Sequence, residues 1–236
     1  MSKAARHVLN ADGTPRGFFG RRAGKRLHDA QRARVETLLP ELEIAPGDEP
    51  LDPRTLFPQA SQIIAEIGYG GGEHLARQAR ENPGSGFIGC EVFSGGIAKL
   101  LDRIERDDTR NIRLFTEDAL QLLARLPDAS LAGAYLLYPD PWPKKKHHKR
   151  RFVSQPTLGE LARVIRPDGF FRFATDIEDY ANWTLAHVLR QSAFRWMPGA
   201  PGSWHTPFPG WQPTRYEQKA RRQGRMLSFY FNFERQ

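Results

Sequence analysis

The sequence predicts an α/β fold in which a mainly parallel sheet carries helices on both faces. From residue 61 onward, short apolar runs alternate with amphipathic stretches of helical length, the pattern of consecutive βαβ units. The first apolar run, IIAEIG (63–68), leads into a glycine cluster, and acidic residues stand at or near the ends of several runs. Ligands of open α/β sheets bind at the carboxyl ends of the strands, so this edge is the predicted site.

The elements follow in order along the chain. Residues 1–34 are basic and poorly periodic, which predicts a flexible arm. A short helix is predicted over 31–42, and prolines between 46 and 58 mark a linker. Strands are predicted at 63–68, 87–92, 112–115, 134–138, 170–175 and 227–233. Helices are predicted at 73–81, 97–106, 119–126, 155–165 and 178–192. We therefore predict a basic arm and linker over 1–60 and one α/β domain over 61–236.

The composition restricts the class of protein. The 236 residues are 39% hydrophobic and 26% charged, which is typical of a globular protein and excludes collagen-like and largely disordered chains. Cys90 is the only cysteine, so no internal disulfide can form and a cytoplasmic location is predicted. The longest apolar stretch, 129–138, is far shorter than the roughly 20 residues that span a bilayer. We expect no membrane association and no obligatory protein partner, with monomer and homodimer both open.

The net charge of +8 is concentrated in three stretches of the chain. Residues 1–34 hold nine Lys and Arg against two Asp, residues 140–151 hold six against one Asp, and residues 213–225 hold five against one Glu. Because the rest of the chain is acidic, these stretches predict a polyanionic partner, most simply nucleic acid. Charge that serves only solubility is the alternative interpretation.

Acidic residues lie near or just past the ends of four predicted strands: Glu66, Glu91, Asp118 and Asp140. The backbone at Gly68 and Gly70 can approach a ligand closely, and an acid about twenty residues later suits a ribose diol. A dinucleotide is disfavoured, because Glu73 stands at the last position of the G-x-G-x-x-G/A pattern and would repel a pyrophosphate. S-adenosylmethionine, which carries cationic groups, fits these carboxylates better and is the predicted cofactor. The histidines show no ligand spacing, so no metal is predicted.

The segment PDPWPKKKHHKRR (139–151) has an unusual composition. Two prolines around Asp140 stiffen the backbone and direct its carboxylate. Trp142 offers a plane for stacking a base, and the six following cations suit phosphate binding. This combination predicts capture of a nucleobase within a nucleic acid, and a rigid surface turn is the alternative.

These motifs resemble the bacterial tRNA (guanine-N7-)-methyltransferase family. The matching pieces are AEIGYGGG (65–72), GCEV (89–92), EDA (117–119), PDPWPKKKHHKRR (139–151), ATD (174–176) and TRYEQKARRQG (214–224). The Asp-Pro-Trp and Thr-x-Tyr-Glu runs are specific to that family, whereas the glycine loop is common to many methyltransferases. Tyr216 departs from the more usual Phe, and the N-terminal arm is not covered. The resemblance implies a Rossmann-like, S-adenosylmethionine-dependent fold with a seven-stranded sheet.

The resemblance also implies roles for individual residues. Asp140 would be catalytic. The cofactor would be contacted by Glu66, Gly68, Gly70, Glu91, Asp118 and Asp140. The substrate would be contacted by Lys144, Asp176, Thr214, Arg215, Tyr216 and Glu217. The RNA would be contacted by Lys146, His147, His148, Lys149, Arg150 and Arg151. The implied activity is methylation of N7 of a guanine in the variable loop of tRNA.

Guanine N7 has an in-plane lone pair and no proton, so its methylation needs no base. We hypothesise an in-line attack that depends mainly on placement, with the developing positive charge stabilised by Asp140 and, as a second candidate, by Asp176. Because the target guanine lies within folded tRNA, we expect the RNA to open locally or the base to flip out. Residues 198–213, rich in proline and containing Trp204 and Trp211, are either a lid over the site or a connector.

Two rival functions stay open at this point. Methylation of another planar nitrogen, such as an adenine or a glutamine amide, uses a related Asp/Asn-Pro-Pro-aromatic loop, although the order here is Pro-Asp-Pro-Trp. A non-catalytic RNA-binding protein on the same fold is the second rival. A measurement of S-adenosylmethionine binding would distinguish this second rival from a methyltransferase.

Overall fold

The computed structural model describes residues 17, 19–198, 202–225 and 227–236. Its strands are β1 Gln62–Ile67, β2 Ser85–Cys90, β3 Ile112–Phe115, β4 Leu131–Leu137, β5 Ile165–Thr175, β6 Phe194–Trp196 and β7 Phe229–Arg235. They form one sheet in the order β3-β2-β1-β4-β5-β7-β6. Pairing is parallel from β3 to β5, and β7 runs antiparallel to both of its neighbours. The prediction of a mainly parallel, seven-stranded sheet is confirmed.

Helices cover both faces of this sheet. They are α1 Asp29–Thr37, α2 Leu39–Leu42, α3 Glu73–Glu81, α4 Ser94–Asp107, α5 Ala119–Arg125, α6 Gln155–Val164, α7 Glu178–Val188 and α8 Arg215–Arg222. Alternate residues of β1 point to opposite faces. Ile63 and Ile67 therefore join the apolar layer of α5, α6 and α7, whereas Ile64 joins the layer of α3 and α4. Among the described residues, no helix has the length and apolar character needed to cross a membrane.

Several element boundaries differ from the sequence prediction. The helix predicted over 31–42 is divided into α1 and α2, and Pro40 lies in the first turn of α2, where its missing N–H is tolerated. Strand β4 begins at Leu131 and ends before Tyr138, which adopts the left-handed conformation (φ 50°). Helix α7 ends at Val188 rather than 192. The short edge strand β6 and the polar helix α8 were not among the elements read from the periodicity.

The segment between the arm and β1 lies against the α/β domain. The Ile44 N–H donates to the Leu114 carbonyl (2.7 Å), and the Leu51 N–H donates to the Arg125 carbonyl (3.0 Å). Phe57 is buried over Gly86, where an added Cβ would lie 2.5 Å from its ring. These contacts attach residues 44–57 to β2, β3 and the end of α5.

The sheet order determines where a ligand can bind. Strand β1 is flanked by β2 on one side and β4 on the other, so the chain proceeds in opposite directions from it. Such a reversal leaves a crevice outside the carboxyl ends of the central strands. The glycine loop after β1 and the Asp140 segment after β4 therefore face the same crevice.

Candidate active site

A cavity of about 430 Å³ opens at this carboxyl edge. Of the residues predicted for the site, those lining it are Gly68, Gly70, Glu91, Asp118, Asp140, Arg150 and Tyr216. Its apolar walls include Ile67, Val92, Phe93, Leu120 and Leu136. Carboxylates on one wall and apolar side chains on the others can hold a ligand with a flat, apolar part and cationic or hydroxyl groups.

The glycine loop is pressed tightly between two neighbours. Gly70 has a left-handed backbone (φ +57°), and an added Cβ would lie 3.2 Å from the Tyr216 ring. A Cβ on Gly96, in the first turn of α4, would lie 2.3 Å from the Gly70 carbonyl oxygen. Both glycines are required because side chains there would separate the loop from α4 and from Tyr216.

Glu91 follows β2 and closes this loop. Its carboxylate accepts hydrogen bonds from the N–H groups of Gly70 (2.8 Å), Val92 (2.9 Å) and Phe93 (2.9 Å). Burial raises the pKa of the Glu91 carboxyl, and these three bonds oppose that effect. Asp118 caps α5, where its carboxylate accepts the Leu120 N–H at 3.1 Å. Both acids are thus held in place from the protein side of the cavity.

The Asp140 segment is held in an unusual backbone conformation. Tyr138 (φ 50°) and Trp142 (φ 44°) are both left-handed and stand on either side of Pro139-Asp140-Pro141. Bulky residues adopt this conformation rarely, at a cost of about 1–3 kcal/mol each, and mostly at functional sites. Asp140 is solvent-accessible through the open cavity, yet the surrounding protein is dense enough that desolvation raises the pKa of its carboxyl.

Arg151, a predicted RNA contact, is buried beneath this segment. Its Nε donates to the Pro141 carbonyl at 2.9 Å, and its guanidinium pairs with Asp179. The Arg151 Cζ lies 4.9 Å from the Tyr180 ring centre and 5.2 Å from that of Trp183. With 1% of its surface exposed, Arg151 supports the Asp140 segment from beneath, and its contact with RNA stays a prediction.

The basic run forms a short 3₁₀ helix, Lys145–Arg150, beside the cavity. Lys144, Lys146 and Lys149 are exposed. The Arg150 Cζ lies 4.9 Å from the Trp142 ring centre and 5.2 Å from that of Phe19, so this tryptophan already has a cation on its face.

The two histidines of this run have different surroundings. The His147 ring meets the Trp142 ring edge-on at 6.0 Å, and desolvation, followed by the neighbouring cations, lowers its pKa. The His148 ring packs against Trp183, and its Nε2 lies 3.5 Å from the Asp179 carboxylate. His147 therefore lies towards the cavity side of the run and His148 towards α7.

The remaining predicted substrate contacts lie outside the cavity. Asp176 pairs with Arg225 at 2.6 Å. Thr214 caps α8, its hydroxyl accepting the Glu217 N–H at 3.2 Å. Arg215 is exposed and lines a separate polar depression of about 480 Å³. Glu217 is only 1% exposed, and its direct contact with substrate stays a prediction.

Glu66 lies behind the glycine loop rather than in the cavity. It is 3% exposed, and its Oε2 is 2.7 Å from Nδ1 of His74. In β1 it points to the α3 face of the sheet, opposite to Ile67, which lines the cavity. A contact between Glu66 and a ligand in the cavity would therefore be indirect.

Sequence reasoning missed the contribution of the N-terminal arm to the cavity. Gly17, Phe19, Gly20 and Arg21 line it together with the glycine loop. The arm is held there by an ion pair between Arg22 and Glu117 (2.7 Å) and by the Arg22 carbonyl, which accepts the Ser94 N–H (3.0 Å). These contacts join residues far apart in the chain, so no local pattern indicates them.

The fold and the site define the protein as a Rossmann-like, S-adenosylmethionine-dependent methyltransferase. A family model described as "Putative methyltransferase" matches residues 60–229. The 16S rRNA methyltransferase KamB superposes with a TM-score of 0.54 at 14% identity, over 78% of this chain and 92% of its own. A Streptococcus mutans protein in complex with SAH gives a TM-score of 0.50 at 12% identity, over 75% of this chain and 90% of its own.

Full-length relatives identify the family. The tRNA (guanine-N(7)-)-methyltransferase of Rhizobium meliloti is 52% identical over 92% of this chain and 94% of its own length. That of Nitrobacter hamburgensis is 50% identical over 93% of this chain and 86% of its own. The chain belongs to the tRNA (guanine-N7-)-methyltransferase family, which confirms the resemblance seen in its motifs.

Proposed function

We propose that this protein transfers a methyl group from S-adenosylmethionine to N7 of a guanine in the variable loop of tRNA. The observation that carries the proposal is the Asp140 segment, held in its conformation by Arg151 at the mouth of the glycine-loop cavity. The names of the relatives support guanine N7 as the target atom and tRNA as the substrate. We further propose that the protein acts in the cytoplasm without an obligatory protein partner.

The cavity fits the cofactor in size and in chemistry. It has apolar walls for an adenine, and the carboxylates of Glu91, Asp118 and Asp140 suit the ribose, ammonium and sulfonium groups. S-adenosylmethionine supplies an electrophilic methyl group when bound. Glu91 retains lone pairs beyond its three backbone bonds, so it can also accept a ribose hydroxyl.

The proposed chemistry requires placement more than proton transfer. Guanine N7 has no proton to lose, so Asp140 need not act as a base. Its carboxylate would accept hydrogen bonds from the guanine edge and stabilise the positive charge that develops on the ring. Its segment is stiffened by two prolines and by the Arg151 bond to Pro141, which limits the reorganisation required during the reaction. No metal enters this scheme, and we expect a chelator to leave the rate unchanged.

The RNA is proposed to lie along the exposed cations beside the cavity. Lys144, Lys146 and Lys149 are available for phosphate contacts, with His147 and Arg150 closer to the cavity. Arg150 lies between the rings of Trp142 and Phe19. An incoming base would have to stack against this cation–aromatic arrangement or displace it, so Arg150 is proposed as the contact between RNA and cavity.

The test uses tRNA from cells that lack this modification. The enzyme is incubated with this tRNA and methyl-labelled S-adenosylmethionine, and the digested nucleosides are identified by mass spectrometry. We expect label in 7-methylguanosine, lost in Asp140→Ala and retained in the control Asp48→Ala, an exposed aspartate remote from the cavity. Label in another nucleoside would favour methylation of a different nitrogen. Absence of both cofactor binding and transfer would favour the non-catalytic RNA-binding function, whereas cofactor binding without transfer would point to a missing partner or a target other than tRNA.

A further inference from the structure

The buried face of α3 carries two polar residues that the cavity does not explain. His74 and Arg77 are each 6% exposed, and α3 begins directly after the glycine loop. The His74 Nδ1 is hydrogen-bonded to Oε2 of Glu66. The His74 ring also packs on Trp211, with 5.4 Å between the ring centres. Arg77 donates to the Gly210 carbonyl at 2.8 Å. Both residues therefore hold the segment that precedes α8.

This segment is joined to the Asp140 loop through one buried carboxylate. The Trp211 Nε1 donates to Oε2 of Glu217 at 2.9 Å. The Tyr138 hydroxyl lies 3.2 Å from the same oxygen, and it also lies 3.1 Å from Oγ of Ser228 and 3.4 Å from the Tyr230 hydroxyl. Arg221 pairs with the other oxygen, which completes the coordination of a charge that is 1% exposed. Tyr138 is the left-handed residue that begins the Asp140 loop, so Glu217 connects that loop to α8.

A third contact connects this network to the cavity. Tyr216, next to Glu217, lies against the glycine loop at Gly70 and lines the cavity. Glu91 and Asp140 line the same cavity, and desolvation, followed by the charges of these two carboxylates, raises the pKa of the Tyr216 hydroxyl. A displacement of Glu217 would therefore move both Tyr216, which lies against the glycine loop, and Tyr138, which begins the Asp140 loop.

We propose that His74 and Arg77 are positioning residues, which anchor residues 210–217 to the helix behind the glycine loop, and that Glu217 is the junction through which this anchor aligns the Asp140 loop. Glu217 thus acts by positioning Tyr138 rather than by contacting substrate. The inference rests on the proposed role of Asp140 in methyl transfer. Buried networks of this kind are sensitive to the loss of one donor, because the remaining charge stays desolvated.

The primary test is Trp211→Phe, which keeps an aromatic ring against His74 and removes the donor to Glu217. We expect kcat for tRNA, expressed per S-adenosylmethionine-binding site, to fall roughly tenfold, as for the loss of one hydrogen bond to a charged group. The cofactor Kd and the KM for tRNA should stay within about twofold. Trp196→Phe, a matched change in β6 remote from Glu217, should leave all these values unchanged. Unchanged kcat in Trp211→Phe would overturn the inference.

A double-mutant cycle separates positioning from general stability. Tyr138→Phe removes the hydroxyl that reaches the same oxygen, so the part of its effect on kcat that passes through Glu217 should be non-additive with that of Trp211→Phe. Fully additive effects would contradict a shared junction. His74→Asn keeps a donor for Glu66 but removes the ring that supports Trp211, and it should reproduce the kcat loss of Trp211→Phe. If the wild type makes 7-methylguanosine and Asp140→Ala does not, the proposed function stands. An unchanged kcat in Trp211→Phe would then reject only the positioning role of His74, Arg77 and Glu217.

Discussion

The carboxyl group of Asp140 is partly desolvated by the surrounding protein, and two flanking prolines restrict the backbone that carries it. Desolvation raises its pKa, so the folded protein holds the ionised form less favourably than the unfolded chain does. The resulting cost to stability is fully present above the raised pKa and disappears below the unfolded value. Functional carboxylates often carry such a cost, because the protein around the site replaces part of the water that would solvate the charge.

Asp140→Asn replaces this carboxyl by a neutral group of the same shape, so it should lower the activity while raising the stability. We expect Asp140→Asn to lower the methylation rate by about a hundredfold or more, as for other removed charge-stabilising groups. Its Tm at pH 8 should exceed that of the wild type, and the difference should shrink towards pH 4. Thermal unfolding at several pH values and single-turnover assays measure both quantities. A lower Tm at pH 8 would show that ionised Asp140 stabilises the fold.

Arg151 and Lys149 lie two positions apart in the basic run and should behave in opposite ways. Arg151→Met removes a buried guanidinium with its bond to Pro141, and we expect a loss of about 2–4 kcal/mol in the free energy of unfolding. Lys149→Met, at an exposed position, should change stability by less than about 0.5 kcal/mol and weaken tRNA binding. Urea unfolding and binding titrations would test this. Weakened binding with full stability in Arg151→Met would support its role as an RNA contact.

The helices and strands show which patterns the sequence encodes locally. The strands β1 to β5 were predictable because most of their residues are buried on both faces of the sheet, which gives short continuous apolar runs. The helices between them were predictable because each buries one apolar face with a helical period. Strand β6 has three residues and α8 buries only Glu217 and Ala220, so neither has enough apolar periodicity to be recognised. Contacts with residues distant in the sequence determine both: β6 pairs with β7, and Tyr216 of α8 lies against Gly70.

The short basic helix at Lys145–Arg150 should act mainly through salt-dependent binding. Replacing Lys144, Lys146 and Lys149 together by Ala should lower the slope of log Kd against log salt concentration by about 2–3, because each phosphate contact contributes close to one unit. The Tm should be unchanged, since all three side chains are exposed. Replacement of Arg166 and Arg190, which are exposed elsewhere on the domain, is the matched control. An unchanged slope in the triple variant would place the RNA on another surface.

In the folded molecule, part of the basic arm occupies a position that the sequence does not predict. The sequence indicates a flexible segment with nonspecific affinity for RNA, and residues 1–16 lie outside the described part of the chain. The following residues, including Phe19 and Arg21, form part of the cavity wall and contact Arg150 and Phe93. The arm thus lies against both the cavity and Arg150, the residue proposed to contact RNA.

Two deletions would separate these contributions. Removal of residues 1–26 takes away the cavity wall and the Arg22–Glu117 pair but keeps α1, which is attached to α4 through Arg34. We expect this deletion to raise the Kd for S-adenosylmethionine several-fold, as the loss of about 1 kcal/mol would do. Removal of residues 1–16 should leave that Kd unchanged and only flatten the salt dependence of tRNA binding. Isothermal titration with equal cofactor Kd values for both deletions would exclude the arm from the cofactor site.

The α/β class, the glycine loop, the acids near the strand ends and the Asp140 segment can all be recognised in the amino-acid sequence. These features are local, because strand period, turn residues and motif spacing are set by neighbours in the chain. Which of the charged residues face the cavity depends on how the elements pack in three dimensions. Glu66, Arg151 and Glu217 belong to the motifs, yet packing buries each of them against a partner from another element. A charge inside a protein must be paired, and the identity of its partner depends on how the elements pack.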